Sequence, residues 1–250
     1  MLAVKCTLMT VLSSIIDRQQ SAQPMLAVLV DPDKPDAYQS VLPYLRDVDL
    51  VLVGGSTGED VDACVSQLRC YTSSPIVLFP GNVAQFTPLA DAILFLSLLN
   101  SRRPEILIEP HLQSALVIRQ SGVESIPMGY ILIDGGSKSS VEIVSNCIPL
   151  GSTDVQNIVR HAVAAELLGK RLIYLEAGSG ATSAVPVDVI MAVREAIDLP
   201  LIVGGGIASV AQMLNAYDAG ANIVVIGNYF ERFPAHIPMF VQAKKVYGKS

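Results

Sequence analysis

Eight short apolar runs recur along the chain, and nearly every one is closed by glycine or a polar cluster. They cover residues 25–31, 49–53, 75–79, 92–96, 129–134, 172–176, 201–203 and 223–226. Their apolarity is continuous rather than alternating, which marks strands buried on both faces and therefore a parallel sheet. Nearly all are followed by a segment with helical spacing. Eight such units in 250 residues predict an α/β fold, a single (β/α)₈ TIM barrel over residues 1–250, with residues 1–24 as a lead-in helix. One unit is irregular. Only residues 80–91 separate the third and fourth runs, and Pro88 interrupts them. A crossover helix with its two loops hardly fits there. The barrel is therefore expected to be modified, with the third outer helix missing or degenerate and a gap in the wall.

Composition narrows the partners. The formal net charge is -6 and no run of Lys or Arg occurs, which argues against nucleic acid. Mean hydropathy is high, +0.47, yet no apolar stretch approaches the roughly 20 residues of a membrane helix. The surplus can go to a doubly buried sheet, to a homo-oligomer interface or to a groove for a greasy ligand, and it leaves room for peripheral contact with a membrane. The four cysteines show no CxxC spacing and read as reduced thiols of a cytoplasmic protein. The three histidines form no metal-ligand pattern. Lys5 and the apolar residues 6–16 faintly suggest a signal peptide. No small-x-small site precedes Asp17-Arg18-Gln19-Gln20, so an amphipathic helix is expected instead.

The chemistry concentrates at the carboxyl ends of the runs. In Tyr174-Leu-Glu-Ala-Gly-Ser-Gly180 a carboxylate, Glu176, ends a strand and a glycine-rich loop follows it into a helix. Bare backbone N–H groups there would bind an anion, unless the segment is a plain strand-to-helix turn with a solvated Glu. Gly205 and Gly206 precede a helix start at Ile207-Ala-Ser209, and Gly227-Asn228 precedes another. With Ser179 and Gly180 they form three glycine-ended loops on the last strands, where barrels of this kind hold phosphate. Asp31, Asp33 and Lys34 after the first run, and Ser56 and Thr57 after the second, offer hard oxygens that suit Mg²⁺. Asp31-Pro-Asp33 reads equally well as a helix-opening turn. Lys34 would neutralise a diphosphate or simply be solvated. Thr57 and Asp60 resemble a capping box for the next helix. The wall gap near residues 92–99 would admit something long and nonpolar, although such a run also suits core.

Several of these segments resemble the geranylgeranylglyceryl phosphate synthases, together with the heptaprenylglyceryl phosphate synthases of the same family. They are Val30-Asp-Pro-Asp-Lys34, Val53-Gly-Gly-Ser-Thr57, Pro80-Gly-Asn82, Ser97-Leu-Leu-Asn-Ser101, Gly129-Tyr-Ile-Leu-Ile-Asp-Gly-Gly136, Tyr174 to Gly180, Val203-Gly-Gly-Gly-Ile207 and Gly227-Asn228. The likeness runs from about residue 25 to 231. It implies a modified TIM barrel with an altered third helix, and a Mg²⁺-dependent prenyltransferase. Such an enzyme joins the C3 hydroxyl of sn-glycerol 1-phosphate to a prenyl diphosphate and releases pyrophosphate, making an ether lipid precursor. Carried over, Asp31 and Ser56 would bind Mg²⁺. Tyr174, Leu175, Glu176, Ala177, Gly178, Ser179, Gly180, Gly205, Gly206, Gly227 and Asn228 would hold glycerol phosphate, with Glu176 as the catalytic base. Ser137-Lys-Ser-Ser140 and Glu105-Ile-Leu-Ile-Glu109 depart from the family's pattern, the second beside the prenyl groove. Leu29 stands where the heptaprenyl enzymes carry lysine, which favours geranylgeranyl diphosphate. Another phosphate-binding barrel, an isomerase or a lyase, would not need the metal pair or the side opening. A non-catalytic phosphate-binding barrel would tolerate Gln at Glu176.

Overall fold

In the computed structural model, which describes residues 9–55 and 60–248, the eight runs close into one barrel in the order β1 to β8, all neighbours parallel. The chain opens with α1 (Val11–Gln20), then β1 (Met25–Val30) and α2 (Pro35–Val41), the latter prolonged by a 3₁₀ turn, Leu42–Asp47. There follow β2 (Leu50–Val53), α3 (Val61–Leu68), β3 (Ile76–Leu78) and β4 (Ala92–Leu98). Next come α4 (Pro104–Leu107), α5 (Glu109–Ser121), β5 (Glu124–Leu132), α6 (Ser140–Ser145) and α7 (Val155–Leu167). The last part holds β6 (Leu172–Glu176), α8 (Val187–Ala196), β7 (Leu201–Gly204), α9 (Val210–Asp218), β8 (Ile223–Ile226), α10 (Asn228–Arg232) and α11 (Ile237–Tyr247). No helix lies between β3 and β4, so the expected gap in the outer wall is present.

Alternation along each strand divides the apolar residues into two layers. Ala27, Leu52, Leu94, Met128, Tyr174 and Val225 belong to the barrel interior. Val28, Val51, Ile131, Ile173 and Val203 pack outward against the helices. The amino-terminal end of the barrel is plugged by α1, whose Val11 and Ile15 join the interior cluster. The Glu124 carboxylate fixes that plug by accepting the N–H groups of Val11 at 2.6 Å and Leu12 at 3.2 Å. Beside it, the buried Asp49 carboxylate ties α1 to α11 through Arg18 and Lys244, each at 2.6 Å.

Several boundaries differ from the sequence reading. Within the expected lead-in segment, residues 1–24, the described helix spans Val11–Gln20, because the Thr10 side chain accepts the N–H of Ser13 and sets the start there. β5 starts at Glu124, not at residue 129. Its early part includes Pro127 and a charged residue that bonds to α1, so it lacks a continuous apolar signature. The capping-box expectation fails at Asp60, which is itself the residue preceding α3, has φ 53° and makes no side-chain cap; Thr57 lies outside the described residues. α9 starts at Val210 behind Ser209, which leaves Gly205 and Gly206 in the loop ahead of the helix.

Candidate active site

All the strands deliver their carboxyl ends to one rim, and a single cavity of about 470 Å³ opens there. Asp31, Tyr174, Glu176, Gly205, Gly227 and Asn228 all line it. The carboxylate and the glycine loops that the sequence singled out are thus on the same side of the molecule. Gly178, Ser179, Gly180 and Gly206 line it too. Leu175 and Ala177 do not: they pack in the outer layer, since side chains on a strand alternate between faces. Ser56 lies outside the described residues.

Glu176 is buried, with 7% of its surface exposed. Its Oε1 accepts the Gly178 N–H at 2.7 Å. Burial pushes the carboxyl pKa up; the Tyr174 hydroxyl and the Gly178 N–H work against that rise without cancelling it. The Tyr174 hydroxyl is close enough to favour the charged carboxylate, yet it has no hydrogen bond of good geometry. It is a buried donor awaiting an acceptor, an arrangement found at functional sites more than in plain core. Tyr174 stacks on Phe79 at 5.4 Å and meets Tyr130 edge-on at 5.3 Å, which holds the ring beneath the cavity floor.

Glycine is required around this group. A β-carbon on Gly204 would overlap the Tyr174 hydroxyl and stand 2.9 Å from Glu176 Oε2. Gly205 and Gly206 have φ of 80° and 69°, a region open to glycine at little cost. A β-carbon on Gly206 would meet the backbone of Ser183 and Ala184. Ser179 Oγ donates to Asn228 Oδ1 at 3.3 Å, which ties the β6 loop to the β8 loop across the β7 glycines.

On the same rim, at the end of β1 beside β8, Asp31 Oδ1 accepts the Asp33 N–H at 3.1 Å, and Asp31 Oδ2 lies 3.2 Å from Lys34 Nζ. A β-carbon on Gly55 would overlap Asp31 Oδ1 and stand 2.6 Å from Asp33 Oδ2, so both carboxylates converge above a bare backbone. Lys34 also pairs with Glu231 on α10 at 3.3 Å. Partial burial alone would lower the lysine's pKa, but Glu231 and Asp31 outweigh it and leave it raised. Among the described residues no three His, Cys, Asp or Glu side chains gather as a metal cage.

From this polar rim the cavity runs into an apolar groove at the wall gap. Phe86, Ile93, Phe95, Ile106 and Ile118 line it, with Ser114 and His111 from α5. The sequence marks part of this groove, through residues 92–99, which hold Ile93 and Phe95, and residues 105–109, which hold Ile106; Phe86, His111, Ser114 and Ile118 are not singled out. They lie on separate segments with no shared spacing, brought together where the short third connection leaves no helix between β3 and β4.

The comparisons with known proteins agree with this geometry. The chain is 42% identical over 226 residues to the geranylgeranylglyceryl phosphate synthase of Zunongwangia profunda, a match covering 88% of this chain and 97% of that protein. It is 39% identical over 226 residues to the enzyme of that name from Korarchaeum cryptofilum, covering 87% and 92%. The crystal structure of (S)-3-O-geranylgeranylglyceryl phosphate synthase from Thermoplasma acidophilum in complex with substrate sn-glycerol-1-phosphate superposes with a TM-score of 0.86 at 30% identity, covering 95% of this chain and 99% of that one. A mutant tryptophan synthase α-subunit from Pyrococcus furiosus aligns at 14% identity with a TM-score of 0.53, a likeness of the barrel alone. The PcrB family pattern matches residues 20–244. The chain belongs to the PcrB family, the family of the geranylgeranylglyceryl phosphate synthases.

Proposed function

We propose that this chain is a prenyltransferase that joins the C3 hydroxyl of sn-glycerol 1-phosphate to geranylgeranyl diphosphate, forming geranylgeranylglyceryl phosphate and releasing pyrophosphate. One observation carries the reading: a buried carboxylate, Glu176, lies between a ring of glycine loops and an apolar groove in a single cavity. Family membership and the substrate named for the Thermoplasma acidophilum complex support it.

The phosphate of the acceptor would sit against the loops of Ser179, Gly180, Gly205, Gly206, Gly227 and Asn228, with Tyr174 and the backbone of Leu175 and Ala177 shaping the glycerol side. That places C3–OH beside Glu176, whose raised pKa suits a proton acceptor. The C3 oxygen attacks C1 of the prenyl chain, its proton passes to Glu176, and the C1–O bond to the diphosphate breaks with its electron pair leaving on pyrophosphate. The groove holds the hydrocarbon tail away from water. Lys34, held at the mouth by Asp31 and Glu231, meets the charge of the leaving group.

Mg²⁺ binds few protein carboxylates and completes its shell with water and substrate phosphates. Asp31, with Asp33 converging above Gly55, fits that pattern and does not form a closed protein cage; Ser56 is the further ligand expected from the sequence. When bound there, the ion would neutralise charge growing on the departing diphosphate. The exposed Leu112 and Leu116 on one stripe of α5, with Ile108 just ahead of the helix, support a homo-oligomer. No helix of the described residues is long and apolar enough to cross a membrane.

The test is incubation with sn-glycerol 1-phosphate, Mg²⁺ and a series of prenyl diphosphates, followed by mass spectrometry for the prenyl ether. Product with the geranylgeranyl donor is expected, and no ether with any chain length overturns the proposal.

A further inference from the structure

His111 makes two contacts that a neutral imidazole cannot satisfy together. Its Nδ1 lies 2.8 Å from the carbonyl oxygen of Leu107, one turn back on its own helical segment. Its Nε2 lies 2.7 Å from the carbonyl oxygen of Leu96 on β4. Both partners accept only. A neutral ring has one N–H, so one of these contacts would set a ring lone pair against a carbonyl lone pair; only the imidazolium donates at both nitrogens. The ring is also packed against Phe95, with centroids 4.4 Å apart, and it lines the apolar groove.

The elements around the ring bring no counter-charge. β4 has no titratable residue (Ala92–Leu98, AILFLSL). Glu105 on α4 and Glu109 on α5 are exposed. Among the described residues neither forms an ion pair or hydrogen bond with the ring. What the ring meets instead is Phe95, tilted at 47° to it.

We propose that His111 is a positioning residue for the prenyl donor: as an imidazolium it clasps α5 to β4 and sets the width of the tail groove. The proposal rests on the prenyltransferase reading for the identity of the tail. α5 has little else to hold it, since Ile118 is its one buried residue. Loss of a ring proton would release one bond of the clasp and leave that wall of the groove free to move, so tail binding weakens as pH rises through the range where imidazolium gives up its proton.

The test uses the full chain labelled with ¹⁵N-histidine, with His111 assigned by difference from His111→Phe. Binding of geranylgeranyl diphosphate is measured by calorimetry from about pH 6 to about pH 9, the span that brackets histidine titration. We expect both ring nitrogens protonated at the acid end. Affinity should fall about three- to tenfold as one is lost, the size expected for the net contribution of one hydrogen bond. His111→Phe should bind the donor weakly and lose the part of the pH dependence that the parent shows beyond it, and His111→Gln, with one amide donor, should fall between. Glycerol 1-phosphate affinity should be unmoved in both variants. A ring neutral at pH 6, or donor affinity that is flat with pH in the unmodified chain, overturns the proposal. Neither readout requires turnover, so an inactive enzyme would defeat the prenyltransferase reading while the clasp is judged separately.

Discussion

Gly205 and Glu176 are packed so closely that a β-carbon on the glycine would overlap Oε1 of the carboxylate and stand 2.7 Å from the Gly178 nitrogen. The phosphate-side loop and the buried acid are therefore one unit. Gly205→Ala adds this collision to the cost of holding a side chain at φ 80°. It should destabilise the fold by about 1–3 kcal/mol, the usual cost of such backbone strain, and displace Glu176. Thermal unfolding and steady-state kinetics would read both effects; unchanged melting and turnover would show that the contact is relaxed elsewhere.

Glu176→Gln should lower kcat by about 10²–10⁴-fold, the range for loss of a general base, while glycerol phosphate still binds. The sign of the pH effects follows from burial. Burial raises the carboxyl pKa above its ordinary 4.5, so the stabilising protonated form is fully present below that value and its contribution is lost as pH rises through the raised one. Activity runs the other way, since the base must be ionised. We expect the acid limb of kcat to lie higher than an ordinary carboxylate would place it, and Glu176→Gln to melt no lower than the parent at pH 7. A variant that is fully active defeats the assignment of Glu176 as the base.

Chelation of Mg²⁺ should abolish ether formation and spare glycerol phosphate binding, because Asp31 follows β1 whereas the glycine loops follow β6, β7 and β8. Asp31→Asn should raise the Mg²⁺ concentration needed for half-maximal rate by at least about tenfold, as loss of a charged ligand does. It also takes one partner from Lys34, so the salt dependence of donor binding should change with it. Turnover that persists in excess EDTA would rule out the metal.

Ser114 lies on the groove side of α5, one turn beyond Pro110. A phenyl ring there, in Ser114→Phe, fills the channel part-way along the tail. Competition between geranylgeranyl and farnesyl diphosphate should then shift toward the shorter donor, by roughly tenfold for about 1.4 kcal/mol of lost tail burial. An unchanged ratio would place the tail elsewhere.

The exposed stripe of Leu112 and Leu116, with Ile108 just ahead of the helix, predicts self-association through α5. Leu112→Glu with Leu116→Glu should reduce the mass measured by light scattering to that of one chain. A parent protein that is already monomeric at micromolar concentration would remove this expectation.

Much of the barrel is legible in the sequence because continuous apolarity needs no partner to interpret: residues 172–176 and 223–226 read as buried strands and are β6 and β8. Glu176 and the three glycine loops are legible for a similar reason, as local motifs at strand ends. The first five residues of β5 are not, since Glu124 serves a contact 113 residues away at Val11 and carries no local mark of being a strand. The groove is only half legible. A short connection announces the missing helix, but Phe86, Phe95 and His111 come together through the closure of the barrel, which no window of sequence contains. Leu175 and Ala177 show a limit of reading a motif as a block: their side chains pack in the outer layer, so only their backbone can face the cavity.

The groove beside β4, where no helix follows β3, is a slot shaped for an amphiphile. Any surfactant monomer with a linear tail and an anionic head meets the same greasy wall and the same lysine as the donor does. Extraction detergents would therefore act as competitive ligands, and the apparent affinity of the protein for its lipid donor becomes a property of the buffer as much as of the chain.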